Sequence, residues 1–270
     1  MMRLAYLTAF LLAATAAQGA TIAPHRAVYD LKLIKSSGEG SFASVAGRLA
    51  FEIQGSSCEG WTTSFRMVNR YRPAEGEIRT SDTQSTTFES GDGLDLRYNQ
   101  KEFMDLKPQS EKKIKVSRAT PAADGSGETG DAETRPFTVP AGALFPMQHQ
   151  INLMDKAASG ETRDTSLIYD GSDGEKTFRA ITFFGKRKAA GSNARDQTNS
   201  VAAPLSKLPS WPLSISYYPT SGDEQDTPTY QVGFDLYENG IATGLVLDYG
   251  SFTLGGELKN LEIMKATDCP

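Results

Sequence analysis

Histidine and cysteine are scarce in this chain, two of each in 270 residues. So few imidazoles and thiols leave little material for a zinc site, which takes about four ligands drawn mostly from these two residue types. Catalysis resting on several histidines is excluded for the same reason. Basic excess is missing too: 28 Lys and Arg stand against 33 Asp and Glu, a formal net charge of −5. Such a chain has no electrostatic drive toward nucleic acid or an anionic membrane surface. No H-E-x-x-H, G-x-S-x-G, Walker loop, dinucleotide fingerprint or C-x-x-C occurs. Beyond the N-terminus no segment approaches the run of about 20 apolar residues that a membrane helix needs. With 39% hydrophobic and 23% charged residues, the composition excludes a disordered chain and a coiled coil. What remains is a folding chain long enough for one large all-β domain or two small ones.

The first residues, MMRLAYLTAFLLAATAAQGA, pair Arg3 with an apolar stretch over Leu4–Ala17. Ala17-Gln18-Gly19 puts small residues where a signal peptidase reads them. The pattern predicts a signal peptide over residues 1–19, cleaved near Gly19/Ala20, and a single mature domain over 20–270. No Cys lies near that site to carry a lipid anchor. Cys58 and Cys269, the only two cysteines, both fall in the exported part and are expected to form one disulfide in an oxidising compartment. It would close nearly the whole domain, a constraint of about 5 kcal/mol on the unfolded chain at most.

Alternation of period two marks the body as strands. Leu49, Phe51 and Ile53 alternate with polar neighbours, as do Trp61 to Tyr71 and Tyr230 to Leu236. Further strands are expected at Ala27–Ile34, Ile78–Glu89, Leu94–Glu102, Lys113–Arg118, Thr165–Tyr169, Thr177–Phe184, Leu213–Tyr218, Gly244–Tyr249 and Phe252–Met264. Asn239-Gly240 is a strong hairpin signal. Gly91-Asp92-Gly93 and Asp170-Gly171-Ser172-Asp173-Gly174 read as turns. Gly255-Gly256 predicts a bulge or sharp bend in the last strand. Thr120–Arg135 and Lys186–Pro204 read as mobile loops.

One segment breaks the pattern. Met147, Ile151, Met154 and Ala158 fall on one helical stripe, opened by Pro146 and ended by Ser159-Gly160. Packing against a sheet is the preferred reading. The sharper alternative is a ligand groove lined by Met147, Ile151 and Met154, whose thioethers adapt to apolar ligands. His25, next to the leader, is expected to be exposed, and nothing marks a nucleophile beside His149. Asp170, Asp173 and Glu175 offer carboxylates to calcium, but the spacing does not fit an EF-hand, and turn chemistry explains them better. No metal site and no cofactor are expected.

Several segments together resemble one family. They are Cys58-Glu59-Gly60-Trp61-Thr62, Phe145 to His149, Tyr169 to Gly174, Trp211 to Tyr218, Leu236-Tyr237-Glu238-Asn239-Gly240, and the end from Leu247 to Cys269. The chain is similar in these to the EipB-like periplasmic cell-envelope integrity proteins of alphaproteobacteria, formerly a domain of unknown function. The resemblance implies a mainly β fold, an antiparallel, spiral-like, partly open β-barrel with one amphipathic helix. It also implies a monomer in the periplasm, the Cys58–Cys269 bridge, a part in stress resistance of the envelope, and a link to a periplasmic tetratricopeptide-repeat protein. It brings no catalytic residues. Gly60, Trp61, Asp170, Gly171, Asp173, Gly174, Asn239 and Gly240 stand at motif positions whose role is structural on this reading.

Three functions follow in order. The first is a non-enzymatic protein that maintains envelope integrity through protein contacts. The second is a carrier of a lipid or other hydrophobic envelope molecule held in the barrel groove, an analogy from fold. The third is an envelope enzyme, which would need polar groups converging in a cleft.

Overall fold

The period-two segments build one sheet in the computed structural model, which describes residues 21–38, 42–130, 134–221, 226–267 and 269. Its strands are β1 (His25–Ser36), β2 (Phe42–Ser56), β3 (Gly60–Pro73), β4 (Arg79–Glu89), β5 (Asp95–Met104), β6 (Lys107–Ser117), β7 (Gly125–Gly130) and β8 (Thr134–Val139). After helix α1 (Pro146–Ser159) come β9 (Arg163–Ile168) and β10 (Phe178–Phe184). A short helix, α2 (Ala194–Gln197), and a single-turn stretch at Ser200–Leu205 precede β11 (Ser210–Pro219), β12 (Tyr230–Tyr237), β13 (Ala242–Asp248) and β14 (Phe252–Ile263). The signal peptide expected over 1–19 lies outside the described residues.

The 14 strands follow the order β8-β7-β6-β5-β4-β3-β2-β1-β14-β13-β12-β11-β10-β9. Each neighbouring pair is antiparallel. The first and last strands therefore meet mid-sheet, with His25 opposite Ile263. The ends β8 and β9 never ladder with each other. Leu144, beyond β8, bridges to the β9 end of the sheet, its N–H 2.8 Å from the Leu167 carbonyl oxygen and its own carbonyl 3.0 Å from the Tyr169 N–H. The result is an open, spiral-like antiparallel barrel, as the resemblance implied, and α1 lies across one end of it, against the end of β4 and the β12–β13 turn.

The helix is held there from three sides. Glu89, at the end of β4, accepts hydrogen bonds from the N–H groups of Met147 (2.8 Å) and Gln148 (3.0 Å). These are orphan donors of a first helical turn, and a carboxylate suits that end of the helix dipole. Arg118 stacks 4.2 Å from the Phe145 ring and donates to Gln148 Oε1 at 2.8 Å. Gln150 donates to the Gly240 carbonyl at 2.8 Å, clamping α1 to the β12–β13 hairpin. The Cys58–Cys269 disulfide ties the β2–β3 turn to the C-terminus, with a Cα–Cα distance of 5.8 Å.

Several expectations need correction. Thr120–Arg135 is not a loop throughout, because β7 and β8 lie partly within it and pair from Gly125↔Val139 to Gly130↔Thr134. Their pattern was hidden because β7 places glycine where core residues belong. A Cβ on Gly127 would sit 2.3 Å from Cζ of Phe137, so the neighbouring ring fills the space. Lys186–Pro204 is pinned across β12–β14 rather than loose. Asp196 Oδ2 accepts from Tyr237 Oη (2.6 Å) and Thr243 Oγ1 (2.8 Å), and Lys188 pairs with Asp235 at 2.7 Å. Gly255-Gly256 makes no bulge. Both pair in register with Lys32 and Leu31, and the irregularities fall between Val28 and Tyr29 and between Leu33 and Lys35 instead. The glycines admit close packing, since a Cβ on Gly256 would lie 2.9 Å from Cβ of Leu245. On α1, Ala157 is buried and Ala158 exposed, and Leu153 and His149 join the buried face.

Candidate functional site

The interior of the barrel is incompletely filled. On β2 and β3 the inward residues are apolar, with Leu49 paired to Met67 and Phe51 to Phe65. On β4 and β5 they turn polar, with Ser85 opposite Gln100 and Thr87 opposite Tyr98. Phe51, Phe65 and Met67 stay only half-buried. They face a chamber of about 450 Å³, closed on the far side by Tyr230, Val232, Leu247 and Tyr249. That volume falls in the range of about 300–1,000 Å³ usual for small-molecule sites. A second chamber of about 230 Å³ lies against α1, between Tyr29, Phe51, Tyr217 and Phe234 on the sheet and Pro146, His149, Gln150 and Leu153 on the helix. Phe51, Pro146 and Asp170 line both chambers and mark their junction.

Both histidines of the chain line the smaller chamber. His25 was expected at the surface and is instead 2% exposed. Its alternation with Ala27, Tyr29 and Leu31 on the inward face of β1 is the sequence signal that could have placed it there. His25 Nδ1 lies 2.7 Å from the Ala23 carbonyl oxygen. With that proton donated, the neutral ring keeps its lone pair on Nε2. Burial lowers the His25 pKa against the raising effect of this bond. Burial also lowers His149 to about 4, opposed by the charge of Asp164. His149 Nε2 is buried without a hydrogen-bond partner. Among the described residues neither ring hydrogen-bonds a hydroxyl, thiol or carboxylate side chain, so neither forms a nucleophile–base pair.

Asp170 enters the junction from the turn between β9 and β10. Its Oδ1 accepts from the Ser172 N–H (2.9 Å) and Oγ (2.8 Å), the short-range bonding that makes Asp a turn residue. Gly171 follows at φ 77°, with the Tyr98 ring so close that a Cβ would sit 3.1 Å away. Asp173 points elsewhere and pairs with Lys176 at 2.9 Å. Asp170, Asp173 and Glu175 therefore do not gather, and among the described residues no three His, Cys, Asp or Glu side chains form a metal-sized group. Burial, then the charge of Asp170, raises the phenols of Tyr98 and Tyr217 above their ordinary range. Burial likewise raises Tyr249 to about 12, so its hydroxyl stays protonated at neutral pH.

Met147 and Met154 are buried in the core with Trp61 and Trp211, and Ile151 packs against the same cluster. None of the three lines either chamber, because α1 turns Pro146, His149, Gln150 and Leu153 inward instead. Gly60, at φ 88°, opens β3 beside buried Trp61, and Gly174, at φ 68°, accepts the Tyr169 hydroxyl bond at 2.9 Å. Asn239 and Gly240 form the β12–β13 turn that receives Gln150.

A family model for EipB-like proteins matches residues 16–265. The chain belongs to the EipB-like family. It is 34% identical over 253 residues to the cell envelope integrity protein EipB of Brucella abortus (strain 2308), covering 93% of this chain and 88% of that one. A crystal structure from Brucella abortus, described as a beta-barrel-like protein of a domain of unknown function, superposes with a TM-score of 0.82 at 30% identity. That match covers 91% of this chain and all of the other. The two structures therefore share a barrel-like fold. Among the described residues no helix is long and apolar enough to cross a membrane.

Proposed function

We propose that this protein maintains cell-envelope integrity from the periplasm, without catalysis, by holding an amphipathic envelope molecule in the two-chambered cavity. The carrying observation is the half-buried trio Phe51, Phe65 and Met67, which faces open space beside the hydroxyl row of β4. Apolar side chains of that size sit fully buried in a filled core. One apolar wall and one polar wall suit a molecule with both characters. The envelope role is supported by the name of the Brucella relative. The export pattern at the N-terminus and the disulfide support the periplasm.

A second reading, contact with a protein such as the tetratricopeptide-repeat partner that the resemblance implies, is supported by the outer edge of β8. No strand covers it among the described residues, and free edges recruit strands. The test is titration of the full mature chain with N-phenylnaphthylamine, whose fluorescence rises in apolar surroundings. Saturable uptake is expected, and Ser85→Trp, which fills the larger chamber, should abolish it. Absence of uptake by the parent protein would overturn the cavity reading.

A further inference from the structure

We propose that the junction of the two chambers is a binding site for an ammonium group, with Asp170 as its counter-ion and an apolar tail of the same molecule in the larger chamber. The inference rests on the cavity reading and names the head group it selects. Asp170 is the single charged side chain among the described residues lining both chambers. Its Oδ2 has no hydrogen-bond partner and its carboxylate no ion pair among those residues. Lys112 donates its Nζ to the Ser172 carbonyl oxygen instead. The two histidines add no positive charge at neutral pH, since burial holds both pKa values down.

Asp170 is half-buried with Oδ1 held by Ser172, and its Oδ2 is left to accept a charge-assisted hydrogen bond from a ligand cation. Aromatic rings supply the rest of the cage. Phe51 and Tyr217 line the junction side of the smaller chamber, and Tyr217 stacks on Tyr230 with centroids 4.5 Å apart. Ring faces attract alkylammonium groups, more strongly where water is displaced. Burial first, and then the Asp170 charge, raises the phenols of Tyr98 and Tyr217, which border this space, and of Tyr169. Phe65, Met67, Val232 and Leu247 wall the larger chamber and would take the tail. An anionic head would meet the same carboxylate with repulsion.

The experiment compares three probes with one chain length, dodecylammonium, dodecanol and dodecanoate, below their micelle concentrations. Each displaces N-phenylnaphthylamine from the full mature protein. Dodecylammonium is expected to bind about tenfold tighter than dodecanol, with dodecanoate weakest. Asp170→Asn keeps the Oδ1 acceptor of the turn and should bring the ammonium-to-alcohol ratio close to unity. Asp173→Asn, on the same turn but facing Lys176, should keep the ratio. Equal binding of the three probes to the parent protein, or an unchanged ratio in Asp170→Asn, would overturn the ammonium site while leaving the cavity reading intact. No displaceable probe at all would sink both.

Discussion

Glu89 and Met147 are 58 residues apart in sequence, yet the Glu89 carboxylate accepts the Met147 N–H at 2.8 Å and so caps α1 from the end of a strand. Phe145, at the N-cap position, has no side-chain oxygen to do this itself. The barrel end is closed by a helix whose own sequence lacks the cap. Glu89→Ala should therefore cost about 2–3 kcal/mol by leaving one buried and one half-buried N–H group unpaired, measured by urea denaturation. A loss under half a unit would show that water replaces the carboxylate.

The burial of this carboxyl makes stability depend on pH. Burial pushes Glu89 from 4.5 up to about 7, against the lowering effect of its two N–H partners and Arg118. The native carboxyl thus keeps its proton where the unfolded one loses it. Its contribution is full below 4.5 and is lost as pH rises through 7, by about 3 kcal/mol in all. Glu89→Gln should flatten the unfolding free energy across that window, and an unchanged slope would count against the assignment.

His149 acts in the opposite direction. Its native pKa, near 4, lies below the ordinary 6.5, so the unfolded chain binds the proton first. Stability from the neutral ring is full above 6.5 and falls by about 3 kcal/mol as pH drops through 4. His149→Phe keeps an aromatic ring in place and should remove this acid-side loss, which a thermal melt at each pH would read.

Reduction of the Cys58–Cys269 bridge frees a loop with a sequence separation of 211. The loop-entropy relation puts the loss at up to about 5 kcal/mol. Cys58→Ser should melt earlier and be cut faster by protease, whereas identical melting with and without reductant would contradict the role given to the bridge.

Gly127→Ala places a methyl against the Phe137 ring and should destabilise the protein by about 1–3 kcal/mol. In the Phe137→Leu background the cost should shrink, since the ring it meets is gone. Equal costs in both backgrounds would mean that β7 and β8 do not pack as described.

The turn from Asp170 to Gly174 is held by Ser172 and Lys176. A chelator should leave the melting temperature unchanged, and a large drop would reveal a metal that these side chains do not explain.

Sequence by itself determined the strands whose apolar residues alternate, the helix opened by Pro146, the hairpin at Asn239-Gly240 and the pairing of the only two cysteines. Those features arise from period, backbone preference and count, all local or exhaustive. The pair β7–β8 escaped because Gly127 borrows its core volume from Phe137, a residue of another strand. His25 was misplaced because nearness to the leader was weighed above its alternation with Ala27 and Tyr29. The site was less legible still. Asp170 reads as a turn residue in sequence and behaves as one through Ser172. Only the curl of an open sheet sets that turn against Phe51, Tyr98 and Pro146, from three other elements. Alternation decides which side of a strand a residue faces. Which residues meet there, and whether they leave space between them, depends on how the whole sheet closes, and that is a property of the tertiary structure alone.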